Sequence, residues 1–149
     1  MSIPSKIASA ANVITMCVDE ASAYEVRGRL YHSFAKDVIP FCDVITVIRT
    51  IGDVCNMISY PQSTVHMRSL TEKPEPELPH YNKDEPLVPR EAVLNERGKC
   101  ATFCIAVTSR TNANWQGELY WAEQEIAKSF CSDRELLVLM LRALTHLTE

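Results

Sequence analysis

Glycine is scarce in this chain, with only Gly28, Gly52, Gly98 and Gly117 among 149 residues. That excludes a glycine-rich phosphate loop, which needs several glycines within one turn. Long apolar runs are also missing, and no stretch approaches the roughly 18 consecutive apolar residues of a membrane-spanning helix. The first six residues are polar and include Pro4, with no apolar secretory stretch after them, so the expected location is the cytoplasm and no membrane is expected as a partner. Basic charge is not in surplus either. Fifteen Lys and Arg against nineteen Asp and Glu leave a net charge of −4, which argues against a generally basic surface for nucleic acid or anionic lipid and leaves room only for a local basic patch. His32, His66, His80 and His146 show no paired ligand spacing, and no Ser-His-Asp arrangement has a recognisable local context.

What the chain does contain is apolar mass and thiols. Apolar residues make up 46% and charged residues 23%, enough for one domain over residues 1–149 with its own core. Six cysteines without a secretion signal read as reduced thiols acting as small hydrophobes. Cys100 and Cys104, four apart on a strand, share a face but lie about 13 Å apart, too far for one tetrahedral zinc. Neither a metal nor a cofactor is expected. Cys42 and Cys131 precede helices, where the dipole lowers a thiol's pKa, but each follows a Phe beside an apolar stripe and reads as a small corner residue. Cys100, next to Lys99 and near Arg97, is the thiol with the most electropositive setting.

The chain also nearly repeats itself. Gly28, Leu30, Tyr31, Phe41 and Cys42 recur as Gly117, Leu119, Tyr120, Phe130 and Cys131 at a constant offset, and Val18 recurs as Val107. In the first half, residues 13–18 and 24–31 read as strands, 38–41 as a third short strand, and the run Val44, Val47, Ile48, Ile51, Val54, Cys55, Ile58 as a helix that Asp43 caps and Tyr60-Pro61 ends. Residues 64–70 read as an edge strand. Residues 71–90, with five prolines among acidic and basic side chains, read as an extended loop, and residues 89–96 as one or two helical turns. In the second half, residues 101–108, the segment around Trp115 to Tyr120, and 126–131 read as strands. A final helix follows, capped by Ser132 or Asp133, with the stripe Leu136, Leu137, Met140, Leu141, Leu144, Leu147. The expected fold is α+β: two tandem β-β-β-α units, residues 11–60 and 100–149, joined by the proline-rich loop. They would form an antiparallel sheet with the helices packed on one face.

Such a layout leaves a second sheet face for recognition. Alternation places Thr15, Cys17, Arg27, Arg29 and Tyr31 on it from the first unit, and Cys104, Gln116, Glu118 and Tyr120 from the second. Arg27, Arg29, Tyr31, Gln116 and Tyr120 are the candidate binding residues. Tyr and Arg are enriched at protein interfaces, so the leading expectation is a non-enzymatic binding or adaptor protein, with a protein partner or a second copy of itself. The alternative is a nucleotide or nucleic acid stacked on the Tyr31/Tyr120 face. A thiol-dependent enzyme is the third reading, and no residue is assigned as catalytic.

The strand-strand-strand-helix order over residues 101–147 resembles AP2-type and double-stranded-RNA-binding domains in layout. The basic strand residues of the former and the Lys-rich helix start of the latter are absent here. The chain also resembles short uncharacterised proteins of clostridial-type gut bacteria. The likeness lies in Ala101-Thr102-Phe103, residues 110–117, residues 130–136, and Tyr60-Pro61-Gln62-Ser63-Thr64 with Arg68. It implies a bacterial cytoplasmic origin and no particular activity.

Overall fold

Period-two segments of this chain assemble into one six-stranded antiparallel sheet, in the order β3-β2-β1-β4-β5-β6. The structure is a computed structural model that describes residues 3–22, 25–61, 79–111 and 114–147. The strands are β1 (Ile14–Ala21), β2 (Val26–His32), β3 (Ile39–Phe41), β4 (Ala101–Thr111), β5 (Asn114–Trp121) and β6 (Ile126–Phe130). The helices are α1 (Ser5–Ala8), α2 (Val44–Met57), α3 (Arg90–Leu94) and α4 (Asp133–Leu147). The α+β class expected from the sequence is the class observed. The expected strand over 64–70, and most of the proline-rich loop, lie outside the described residues.

Local chemistry sets the helix boundaries. Asp43 accepts a hydrogen bond from the Thr46 amide at 2.6 Å and opens α2, supplying an acceptor to one of the helix's free amides. Ser132 does the same for α4, its Oγ accepting from the Glu135 amide at 3.0 Å. The α2 stripe Val44, Val47, Ile51, Val54 and Cys55 is buried against the sheet. In α4 the buried stripe is Leu136, Met140 and Leu144. Leu137 and Leu147 flank it half-buried, whereas Leu141, expected on the stripe, is 48% exposed. Leu141 and Val138 share the outer side of the helix, because a helix meets a sheet along one line only.

The two long helices lie on one face, over Ile14, Met16, Val18, Leu30, Phe103, Ile105, Val107 and Leu119. The middle of the other face is not open. Ile7 of α1, Val13 and Val93 of α3 pack there on Cys104, Ala106, Tyr120 and Ala122. The physical reason lies in β4: residues 101–107 are buried without interruption, as in a strand covered on both sides. The turns expected over 89–96 are α3, but four or five residues carry too little periodicity to show that α1 and α3 would cover this face.

The hydrogen-bond registers of the two halves coincide. Thr15 pairs with Tyr31 and Cys104 with Tyr120; Val18 pairs with Gly28 and Val107 with Gly117; the ladders slip at Val18/Glu20 and again at Val107/Ser109. Gly28 lies opposite Phe41, and Gly117 opposite Phe130. Each second-half residue follows its counterpart by 89 positions, the separation of Thr15 and Cys104. Both glycines are required by close approach. A Cβ on Gly28 would lie 1.8 Å from the Cys17 carbonyl oxygen, and one on Gly117 would lie 2.1 Å from that of Ala106.

Candidate functional site

Arg29 and Tyr31 project from β2 on the face opposite the long helices, and they touch. Arg29 Nη1 donates to the Tyr31 hydroxyl at 2.7 Å, and the guanidinium carbon lies 5.6 Å from the ring centroid. Arg29 also forks onto Asp19, Nε to Oδ2 at 2.8 Å and Nη2 to Oδ1 at 3.1 Å, and Nη2 reaches the Arg97 carbonyl at 2.9 Å. Asp19 Oδ1 accepts in addition from the Lys99 amide at 3.1 Å. The hydrogen bond from Arg29 holds the Asp19 carboxyl below its ordinary range, and Asp19 in turn raises Arg29. All three guanidinium nitrogens are engaged, so Arg29 clamps β1, β2 and the turn before β4 together rather than offering free donors to a ligand.

The other candidates are not gathered around it. Arg27 is exposed and its partner is Glu25 at 3.5 Å, a surface pair of small energetic consequence. Gln116 is exposed on β5 beyond the ladder slip, paired in register with Ser109. Tyr120 is 3% exposed beneath α1 and α3, and its hydroxyl is buried without a hydrogen-bond partner among the described residues. Burial pushes the Tyr120 phenol up. Tyr31 and Tyr120 therefore share a sheet face, as alternation implies, but do not form a paired exposed platform.

Three thiols are buried. Burial pushes Cys17 up to about 12 and Cys55 to about 11, and raises Cys104 as well, which keeps them protonated and unreactive at neutral pH. Cys42, Cys100 and Cys131 are exposed, and Cys100 Sγ donates to the Asp19 carbonyl at 3.2 Å.

A different surface carries more recognition character. Between α4 and the β4-β5-β6 end of the sheet lies a groove of about 230 Å³. Phe103, Leu119, Trp121 and Leu139 form its floor, Ile126 one wall, and Lys128 and Arg142 its polar rim. The Phe103 and Trp121 rings meet at 5.3 Å, and Trp121 packs edge-on to His146 at 6.1 Å. Ile126 is 44% exposed, Val138 37% and Leu141 48%, so the groove continues onto bare helix and strand. Lys128 and Arg142 make no ion pair among the described residues. β6 is also the last strand of the sheet, and among the described residues no further strand faces its outer main-chain groups. Sequence reasoning missed this site. Its signal was limited to Val138 and Ile126 falling off the core-facing periods, because Leu141 read as part of the α4 stripe. Among the described residues no three His, Cys, Asp or Glu side chains are grouped to hold a metal ion, and no helix is long and apolar enough to cross a membrane. No protein-family model, curated protein or solved structure matches this chain.

Proposed function

We propose that this protein is a non-enzymatic binding module that docks a partner segment on the β6 edge and the α4 groove. The observation that carries the reading is the groove itself, apolar at its floor and rimmed by two cations without carboxylate partners. Charge complementarity selects the occupant: an extended segment with one large apolar side chain flanked by Asp or Glu. The apolar side chain fills the groove, the carboxylates meet Lys128 and Arg142, and the main chain pairs with β6 as an added strand. Lys128 points to the helix side of the edge strand, where it discourages indiscriminate strand pairing and favours an acidic partner. We read the two halves of the chain as copies of one β-β-β-α unit, a reading supported by their shared registers. The third strand of the second copy is the longer, five residues in β6 against three in β3, and α4 beside it carries the exposed Val138 and Leu141. A bacterial cytoplasmic setting belongs to the same proposal. A nucleotide stacked between Tyr31 and Tyr120 is not adopted, because the Tyr120 ring is covered.

The test is selection of a random peptide library displayed on phage against the immobilised protein. Enriched peptides should share an aromatic or leucine anchor with adjacent carboxylates, shift Trp121 fluorescence, and lose binding in Lys128→Glu and Arg142→Glu. Enriched peptides without acidic residues, or binding indifferent to both charge reversals, would sink the proposal. So would sedimentation showing that the same surface is filled by a second copy of the chain.

A further inference from the structure

A second concavity, of about 390 Å³, lies between α1, the loop before α3 and the end of α2, within the size range of small-molecule sites. Its charged lining is Lys6, Lys83, Asp84 and Arg90, beside Ser9, Tyr60 and Thr108. The chain as a whole carries a charge of −4, yet this cleft gathers three cations against one carboxylate. The three differ in how they are occupied. Lys83 lies 3.3 Å from Asp84 and 5.5 Å from the centroid of the Tyr60 ring. Lys6 is 73% exposed and reaches Glu118 only at 3.9 Å. Arg90 is half-buried and has no hydrogen-bond or ion-pair partner among the described residues.

That last observation decides the matter. A half-buried guanidinium has lost part of its hydration, and it normally recovers that loss through an acceptor. Among the described residues no acceptor is supplied, while the backbone beneath Arg90 is held firmly. Val93, one turn on, is buried against the sheet, and the Val93 carbonyl accepts from Thr15 Oγ1 at 2.7 Å. A planar fork of donors on a fixed backbone suits two oxygens of one anion. With Asp84 and Glu118 counted the cleft keeps one net positive charge, and the Arg90 fork with the two lysine ammoniums offers more donors than the two oxygens of a carboxylate can use, whereas the three oxygens of a phosphate monoester can take them.

We propose that this cleft binds a small phosphate-bearing molecule, with Arg90 as the bidentate contact and Lys6 and Lys83 closing over the remaining oxygens. The site is separate from the α4 groove and stands independently of the reading proposed for it. The ring of Tyr60 in the lining suits phenyl phosphate as one probe and inorganic phosphate as another.

The experiment is titration of the full chain with each probe, followed by amide NMR shifts around Arg90 and Lys83. Sodium chloride at matched ionic strength and benzoate serve as control arms. Saturable shifts are expected with both phosphates, and Arg90→Met should weaken them about tenfold or more while leaving the far-UV spectrum and melting temperature unchanged. Arg90→Lys, which keeps the charge but not the fork, should also weaken them. Saturable shifts with inorganic phosphate as tight as with phenyl phosphate would assign the site to the phosphoryl group alone; tighter binding of phenyl phosphate would assign it to an aryl or larger phosphate ester. The proposal is overturned if sodium chloride reproduces the shifts, if benzoate binds as tightly, or if Arg90→Met titrates like the parent chain.

Discussion

Thr15 and Cys104 face each other across the β1–β4 ladder, hydroxyl oxygen to sulfur at 3.9 Å, where the two halves of the sheet meet. On either side, Ile14 pairs with Ile105 and Met16 with Phe103, so the contact is arranged about this one pair. Thr15 also anchors the opposite layer, because its Oγ1 donates to the Val93 carbonyl of α3. Thr15→Val keeps the shape and removes the short donor, leaving the Val93 carbonyl only the Glu96 amide at 3.4 Å. A loss of about 1–3 kcal/mol is expected by urea denaturation, with Thr15→Ser retaining most of it. Hydrogen exchange should show the α3 amides opening first in the valine variant.

The glycines differ in what they exclude. Gly28→Ala and Gly117→Ala drive a methyl group into a strand carbonyl and towards the ring of Phe41 or Phe130. Each should cost more than about 3 kcal/mol, the range of severe single substitutions. Gly52→Ala, within α2, meets only the edge of the Trp115 ring at 3.2 Å. There a gain in helix propensity of about 1 kcal/mol opposes the crowding, and thermal melting should shift little.

His32 makes stability depend on pH. Its side chain is buried, its Nδ1 accepts from the Phe34 amide at 3.1 Å, and burial lowers it from 6.5 to about 4. Between these values the unfolded chain binds a proton that the folded chain refuses, so stability rises with pH. The contribution is complete above about pH 6.5 and is lost as pH falls towards 4, amounting to about 3 kcal/mol. Chemical denaturation across that interval should show the slope, and His32→Asn, which retains a small acceptor without the titration, should flatten it. The Asp19 carboxylate, held low by Arg29, supports the fold above its ordinary range and is lost only at more acid pH.

The cysteines should divide by burial. Cys42, Cys100 and Cys131 should react with an aromatic disulfide reagent in the native protein, and Cys17, Cys55 and Cys104 only after unfolding. Three fast thiols followed by three more in guanidinium is the expected count, with the sites read by peptide mass. Fast native labelling of Cys17 would contradict the covered sheet face.

Within the fold, the features legible beforehand were those written in adjacent residues. Alternation along Val26 to His32 placed Arg29 and Tyr31 on one face, and Asp43, and Ser132 or Asp133, marked the starts of the two long helices, of which Ser132 is the cap observed for α4. The candidate site was less legible. Arg29 read as a candidate binding residue because its partners Asp19 and the Arg97 carbonyl come from other segments. Asn12 is a similar case. Its amide donates to and accepts from the Val107 backbone, at 2.8 and 3.2 Å, across 95 residues.

The sequence by itself determined the periodic elements and their order, because these follow from backbone geometry over a few neighbouring residues, whereas the placing of each glycine opposite a phenylalanine is a cross-strand relationship. Only the tertiary structure decided which sheet face was covered, which arginine was spent on a clamp, and which was left without an acceptor. Those outcomes depend on short segments such as α1 and α3 reaching over the sheet, and on distances between residues far apart in the chain, which local patterns do not encode.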